Sequence, residues 1–225
     1  MLVKNIVLLF TLVLLSRAGH AQTVSNTLSA QDSIVHFYKQ AKEAAKSYNL
    51  ELEIRCYKRI LALDPSRTEI LDTLGKIYFK TRNYHLALEI YREKAQKVSP
   101  TVKDYFYIGN SYMGLKNYPL ADSVYAKINE MEPTYVIGWY TRARIKDALD
   151  EGNEPRTKAQ PFYEKYLELV EPNLDNADQR TKVNAINAYQ YLARFYAVSG
   201  ESQDIPKALG YMEKIKKVDP YFDRD

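Results

Sequence analysis

Cysteine, which forms disulfides, and histidine, which with cysteine supplies many metal ligands and catalytic groups, are nearly absent from this 225-residue chain. Cys56 is the only cysteine, so no disulfide within the chain can form. Beyond the first 21 residues only His36 and His85 remain, with no second His or Cys at ligand spacing. A zinc site is therefore not expected. Cys56 is interpreted as a small helix residue, with a bridge to another chain as the alternative.

Glycine and proline are also scarce, with eight and nine residues, which argues against long linkers and low-complexity segments. The sequence has no glycine-rich phosphate loop and no nucleophile elbow. It therefore nominates no catalytic residue, no cofactor and no metal ligand, and we do not expect an enzyme. The formal charge of +4 is mild and gives no reason to expect binding to nucleic acid or to a membrane surface.

The apolar run near the N-terminus is too short for a membrane-spanning helix. Residues 6–15 are largely apolar and follow Lys4, whereas a spanning helix needs roughly 20 apolar residues. Small residues then stand at Gly19 and Ala21, two places apart, as at a signal-peptide cleavage site. We therefore predict a signal peptide at residues 1–21 and export of the mature protein, to the periplasm or out of the cell. An uncleaved membrane anchor is the alternative. No cysteine stands at the junction, so a lipid anchor is not expected.

A pattern of residues occurs twice in the chain at a spacing of 34. Leu71, Leu74, Gly75, Tyr78, Ala87 and Tyr91 match Tyr105, Ile108, Gly109, Tyr112, Ala121 and Tyr125. The turns match as well, residues 82–87 against residues 116–121. A fixed period of this length indicates an array of structural repeats. The residue order resembles the tetratricopeptide repeat (TPR).

The resemblance covers residues 34–225 and divides them into repeats of two helices each. The predicted domains are a flexible lead-in at 22–33 and five repeats at 34–67, 68–101, 102–135, 136–173 and 174–225. The apolar positions of each predicted helix recur at three- and four-residue steps, so they share one face. One such helix pair cannot bury that face alone, so neighbouring pairs must stack. The resemblance implies an all-α fold, a right-handed α-solenoid of about five helix-turn-helix repeats.

Several residues depart from the repeat pattern. Lys94 replaces the small residue that is usual near the end of a second helix. Arg142 and Lys146 replace two apolar residues on the first helix of the fourth repeat, which weakens that repeat. Extra residues around 150–153 and 200–204 lengthen the connections in the last two repeats.

The resemblance implies a protein-protein interaction scaffold without a chemical step, which binds its partner in a concave groove lined by the first helix of each repeat. The groove positions carry Lys42, Lys76, Phe79, Lys80, Phe106, Asn110, Tyr140, Arg144 and Arg194. Cations beside exposed aromatic rings suit an acidic or carboxylate-ended peptide. The alternative is that these cations are merely solvated. Tyr38 and Lys42 stand where the clamp for chaperone C-termini has Lys and Asn, so that partner class is not expected.

A second surface lies at the end of the chain, on the last predicted helix at residues 205–218. Tyr211, Val218, Tyr221 and Phe222 form an apolar remnant there. It either packs locally on the fifth repeat or docks a partner or a second copy of the chain. The alternative function is therefore a structural subunit of an envelope assembly, with contacts through this C-terminal end. Self-association stays open, and the sequence does not identify the protein partner.

Overall fold

The computed structural model describes residues 29–150, 158–198 and 204–222, which form ten α-helices, one 3₁₀-helix and no strand. The helices are α1 (Ala30–Lys46), α2 (Leu50–Leu63), α3 (Thr68–Lys80), α4 (Tyr84–Ala95), α5 (Val102–Gly114), α6 (Tyr118–Met131), α7 (Val136–Leu149), α8 (Gln160–Val170), the 3₁₀-helix (Glu171–Asn176), α9 (Gln179–Val198) and α10 (Ile205–Val218). The predicted signal peptide lies outside the described residues, and so do residues 151–153 and 200–203 of the two predicted insertions. The chain divides into two compact units, residues 1–65 and 66–225.

The first unit is the helix pair α1 and α2, which pack against each other. Helix α1 begins at Ala30 because the Ser29 hydroxyl accepts a hydrogen bond from the Asp32 backbone N–H at 3.1 Å. The last four residues of the expected flexible lead-in, 30–33, are therefore helical, which corrects that prediction. A serine at the N-cap followed by an acidic residue in the first turn is the sequence signal for the start of this helix.

Cys56 lies in the interior of the first unit. The residue is 2% exposed, and burial raises the pKa of its thiol. Its Sγ atom lies 3.7 Å from Oε1 of Gln40 on the facing helix. These observations agree with a small core residue on a helix and leave no exposed thiol for a bridge to another chain.

The second unit consists of four consecutive helix pairs. Within it α3 packs on α4, α5 on α6, α7 on α8 and α9 on α10. The second helix of each pair also packs on the first helix of the next, so that α4 contacts α5, α6 contacts α7 and α8 contacts α9. The all-α prediction is confirmed, and the helix pairs follow the predicted repeats.

The turn between the two helices of a pair has the same backbone geometry in three repeats. Tyr48, Arg82 and Lys116 stand 34 residues apart and have positive φ angles of 57°, 60° and 57°. After α3, the Asn83 N–H donates to the Tyr78 carbonyl at 2.8 Å, across the left-handed Arg82. This is a Schellman end, in which one left-handed residue closes the helix and satisfies its last carbonyls.

Each of the two best-matched pairs is held by a tyrosine ring that lies on a glycine. Tyr91 and Tyr125, on the second helices, are 1% and 0% exposed. A Cβ atom added at Gly75 would lie 2.8 Å from the Tyr91 ring, and one added at Gly109 would lie 2.8 Å from the Tyr125 ring. The small residue therefore lets the two helices approach, and the tyrosine fills the remaining space.

The two cations in the fourth repeat have partners. Arg142 Nε donates to Asp122 at 3.0 Å, and Lys146 Nζ donates to the same carboxylate at 2.7 Å. The Arg142 guanidinium also lies 4.6 Å from the centre of the Phe162 ring. The three charged side chains are 15–25% exposed, so α6, α7 and α8 meet through a half-buried ion network. A charged network thus replaces the apolar contact that the pattern leads one to expect.

We expect Gly109→Ala to destabilise the protein by about 1–3 kcal/mol, because the new methyl group would displace the fully buried Tyr125 ring. The helix propensity of alanine, worth about 1 kcal/mol over glycine, acts in the opposite direction. Gly210→Ala in α10 is the matched control, because nothing lies within 4 Å of the added Cβ. It should leave the free energy of unfolding unchanged or raise it by up to about 1 kcal/mol. Urea denaturation measures both, and equal effects would contradict this account of the Tyr125 contact.

Candidate ligand-binding groove

The first helices of the pairs carry the residues that the repeat pattern assigns to a groove. In the second unit α3 carries Lys76, Phe79 and Lys80, α5 carries Phe106 and Asn110, α7 carries Tyr140 and Arg144, and α9 carries Arg194. Lys42 lies on α1, in the first unit. Lys42, Lys80, Arg144 and Arg194 are exposed, whereas Lys76, Phe79, Phe106 and Asn110 are half-buried. Most of the predicted residues thus offer surface to a ligand.

Tyr140 is a core residue, and its prediction as an exposed anchor is wrong. It is 8% exposed, and its ring centre lies 5.0 Å from that of Tyr166 and 6.0 Å from that of Tyr163. Its hydroxyl accepts a hydrogen bond from Nδ2 of Asn187 at 3.1 Å. The ring packs into the core because it contacts two tyrosines of α8. The sequence pattern of a single helix does not show contacts with another helix.

Aromatic rings from two helices meet beside the remaining predicted residues. The Tyr107 ring centre lies 5.3 Å from that of Phe79 and 5.6 Å from that of Phe106. It also stacks on the buried Tyr91, at 5.7 Å and an angle of 7°. Tyr107 therefore joins the core to the half-buried Phe79 and Phe106. It was not among the predicted residues, because its place in the repeat is not one that usually faces a groove.

Asn110 is held in place by its own helix. Its Nδ2 atom donates to the backbone carbonyl of Phe106 at 2.8 Å. The carboxamide is thereby oriented and keeps further hydrogen-bonding capacity for a ligand backbone.

Lys76 belongs to an ion network that runs across α3, α4 and α5. Its ammonium donates to Asp72 on the same helix. Lys94 lies 3.7 Å from the other oxygen of Asp72 and donates to Asp104 at 2.6 Å. Asp104 is 2% exposed. Lys94, which departs from the repeat pattern in the second repeat, is thus explained by its ion pair with Asp104. The sequence pattern had not indicated this pair.

Asp104 also closes the N-terminus of α5. Its carboxylate accepts hydrogen bonds from the backbone N–H and the hydroxyl of Thr101, each at 2.9 Å, in a capping box. Burial acts to raise the pKa of Asp104, but the hydrogen bonds from Lys94 and Thr101 outweigh it and hold the pKa below its ordinary value. Asp104 therefore stays ionised and anchors the network.

A separate cleft of about 480 Å³ lies between α4 and the turn that joins α5 to α6. His85, Leu88, Tyr112 and Leu120 are among its lining residues. None of the residues predicted for the groove lines it.

Neither a metal-ligand cluster nor a membrane-spanning helix occurs among the residues that the structure describes. Those residues contain no group of three or more His, Cys, Asp or Glu side chains arranged to hold a metal ion. Over the same ranges, no helix is both long enough and apolar enough to cross a bilayer.

The apolar surface at the end of the second unit differs from the predicted one. Tyr211 and Val218 are half-buried and pack against the core of α7–α10, so they are not part of an exposed remnant. Tyr221 and Phe222 are 66% and 37% exposed, as predicted for such a surface. A larger exposed apolar stripe runs along α10 and consists of Ile205, Leu209 and Met212, at 46%, 55% and 48% exposure.

Comparison with known proteins shows similarity only at the level of structure. No protein-family model matches the chain, and no curated protein matches its sequence. The C-terminal part of a TPR repeat-containing protein from Cytophaga hutchinsonii aligns over 91% of this chain and 74% of its own, with 24% identity and a TM-score of 0.71. MamA from Desulfovibrio magneticus RS-1 aligns over 85% and 98%, with 15% identity and a TM-score of 0.59.

YrrB, described as a TPR protein with an unusual peptide-binding site, aligns over 88% of this chain and 90% of its own, with 18% identity and a TM-score of 0.56. At such low identities the likeness establishes the fold. The chain is an all-α solenoid of the TPR type, and the resemblance read from its repeats is confirmed at that level.

We expect Asp104→Asn to lower the free energy of unfolding by about 2–4 kcal/mol at pH 7, because Lys94 loses a buried partner and α5 loses part of its cap. A carboxylate whose pKa is lower in the folded protein stabilises the fold at every pH above its pKa in the unfolded chain, which is about 3.9. That contribution is lost as the pH falls through the pKa in the folded protein. The difference between wild type and variant should therefore shrink below about pH 4.

Urea denaturation between pH 7 and pH 3 measures this difference. Glu168→Gln is the control, because Glu168 is 65% exposed and its ion pair with Lys165 lies on the surface; its effect should stay within about 0.5 kcal/mol. If the difference in the free energy of unfolding between wild type and Asp104→Asn does not depend on pH, this result would contradict the role assigned to the charge of Asp104.

Proposed function

We propose that this protein is a non-enzymatic scaffold that binds an acidic segment of another protein along the first helices of its second unit, in the cell envelope. The observation that carries the proposal is the position of Lys76 beside Phe79, with Phe106 and Tyr107 on the next first helix. A cation next to half-buried rings offers a charge-assisted hydrogen bond together with apolar anchorage.

Other predicted groove residues on the first helices support the proposal. Lys80, Arg144 and Arg194 are exposed on α3, α7 and α9, and Asn110 on α5 presents an oriented amide. Such a series suits an extended chain whose acidic side chains meet successive cations. YrrB, which shares the fold, is described as having a peptide-binding site, and this adds weight to peptide binding here.

The envelope location rests on the predicted signal peptide at residues 1–21. A cationic apolar start followed by small residues is typical of exported proteins. Cell fractionation of the tagged protein, with N-terminal sequencing of the mature form, tests this part of the proposal by itself.

The binding proposal is tested with two variants of equal charge. The groove variant changes Lys76, Arg144 and Arg194 to Gln. The matched variant changes Arg92, Lys127 and Lys217 to Gln; these residues are exposed on the second helices α4, α6 and α10. Both variants lose three positive charges, so a nonspecific effect of net charge affects them alike.

We expect in-cell crosslinking and affinity capture from the envelope fraction to recover a protein with the wild type and the matched variant, and to lose it with the groove variant. Binding of the purified partner should weaken at least tenfold in the groove variant and depend less on salt. Equal capture by all three proteins would overturn the proposed groove.

A second candidate function is a structural subunit that assembles through α10. The stripe of Ile205, Leu209 and Met212 favours it, because the three side chains are about half exposed and recur at i, i+4 and i+7 on one helix face. Contiguous apolar surface of this kind marks many protein interfaces.

This second candidate predicts a concentration-dependent oligomer in sedimentation velocity, which Leu209→Lys together with Met212→Lys abolishes. Tyr221→Lys, outside the stripe, is the control and should leave the oligomer intact. A wild-type protein that sediments as a monomer up to about 100 μM would exclude assembly through this face at ordinary affinities.

A further inference from the structure

The cleft between α4 and the turn that joins α5 to α6 has the size of a small-molecule site. Its volume of about 480 Å³ lies within the range of about 300–1,000 Å³ that is typical of such sites. A stable interface with another folded protein needs about 20–30 residues on each side, whereas eight residues line this cleft. The cleft therefore suits a small molecule better than a protein surface.

One wall of the cleft is a row of polar side chains on α4. His85, Glu89 and Arg92 follow one another at steps of four and three residues, so they share one face of the helix. All three are exposed, and their side chains make no hydrogen bond or ion pair with any other residue in the part of the chain that the structure describes. Lys94 of the same helix, by contrast, pairs with Asp104. The charges of this wall are therefore free to pair with a ligand.

The opposite wall is held in shape by the turn after α5. The Asn117 N–H donates to the Tyr112 carbonyl at 2.9 Å across Lys116, which has a left-handed backbone with a φ of 57°. Oδ1 of Asn117 accepts from the Leu120 N–H at 3.3 Å and caps α6. These hydrogen bonds fix the backbone from Tyr112 to Leu120, so this wall is preorganised for a ligand.

Apolar side chains from both walls complete the lining. Leu88 of α4 is half-buried, as are Tyr112 and Leu115 on the opposite wall. Leu120 is 45% exposed. Part of each of these side chains is in contact with water, and an apolar group of a ligand would remove that surface from water. The lining therefore favours a ligand with a large apolar group.

The charges on α4 restrict the charge of the ligand. Glu89 and Arg92 are three residues apart, which places their Cβ atoms about 5–6 Å from each other. A purely anionic ligand that pairs with Arg92 would come close to the Glu89 carboxylate and be repelled by it. A purely cationic ligand on Glu89 would be repelled by Arg92 in the same way. A ligand that carries an ammonium and a carboxylate close together satisfies both residues.

We propose that this cleft binds an α-amino acid with a large apolar side chain. Glu89 accepts hydrogen bonds from the ammonium of the ligand, and Arg92 donates to its carboxylate. Leu88, Leu115 and Leu120 contact its side chain. This site is separate from the groove of the proposed function, and the inference does not rest on that function.

Four small molecules test the three parts of this recognition separately. L-Phenylalanine carries an ammonium, a carboxylate and a large apolar side chain. N-acetyl-L-phenylalanine lacks the ammonium, L-phenylalaninamide lacks the carboxylate, and glycine lacks the apolar side chain. An NMR titration of the purified protein, followed at the amide resonances of α4 and of residues 112–120, measures the binding of each compound.

We expect L-phenylalanine to bind with a Kd of about 1 mM or below, an affinity that a ligand of this size reaches with few contacts. Each of the other three compounds should bind at least fivefold more weakly, because each leaves one part of the cleft without its partner.

Each charged residue has its own signature in this titration. Glu89→Gln should remove the preference for L-phenylalanine over its N-acetyl derivative and keep the preference over its amide. Arg92→Gln should have the reverse effect. Both residues are exposed, so the fold should not depend on them. Lys127→Gln on α6 is the control, because Lys127 does not line the cleft, and it should retain both preferences.

Three results would overturn the inference. The first is equal binding of the four compounds, or no shift up to about 20 mM L-phenylalanine. The second is a set of shifts confined to α3, α7 and α9, which would place the compound elsewhere. The third is loss of both preferences in each variant, because a merely structural effect is not selective for one charge of the ligand.

The amino-acid site and the proposed groove can fail independently. The groove variant retains Glu89 and Arg92, so it should bind L-phenylalanine as the wild type does. The matched variant contains Arg92→Gln and should lose the preference for L-phenylalanine over its amide while it retains the envelope partner. Loss of partner capture therefore reports on the groove, and loss of the amino-acid preferences reports on the cleft.

Discussion

The contact between a buried tyrosine ring and a glycine of the paired helix sets the geometry on which the repeats depend. Where Tyr125 lies on Gly109, the two helices of a pair are as close as a ring allows, and the ring has no room to move. Such close packing fixes the crossing of the two helices. It thereby fixes which residues of the first helix point away from its partner. On α3, where Tyr91 lies on Gly75, the exposure of Lys80 follows from this choice of inner face, because residues on the opposite side of a helix cannot reach the core.

The departures from the repeat pattern lie at the junctions between pairs, where they replace apolar contacts by charge. Lys94 pairs with Asp104, and Arg142 and Lys146 share Asp122. Half-buried ion pairs contribute less to stability than well-packed apolar side chains of similar size, yet removing one partner is costly. Charge makes neighbouring pairs less interchangeable, because a half-buried cation is stable only at a junction that supplies a carboxylate. At the junction of α3, α4 and α5 the same charges also extend to the surface and hold Lys76 there.

Much of the fold was predictable from the sequence because it is local and periodic. The spacing of 34 residues, the Tyr and Gly positions and the Asn-containing turns all express helix geometry, and helices α3 to α6 match them. The candidate site was less predictable. Tyr140 occupies the same repeat position as Phe106, but the tyrosines of α8 draw its ring into the core. Asp104 was unpredictable for the same reason, because its partner Lys94 belongs to the preceding pair. A pattern on one helix indicates which face is buried, whereas the partner of a charged side chain depends on helices far along the chain.

Charge at a repeat junction connects stability with ligand binding in a way that an apolar junction does not. Asp104 caps α5, neutralises Lys94 and, through Lys94 and Asp72, fixes the position of Lys76. A ligand bound as in the proposed function would contact residues of both α3 and α5, so its binding energy would stabilise the junction itself. Ligand and fold would thus reinforce each other through Lys76, and weakening the interior end of the network would weaken binding at its surface end.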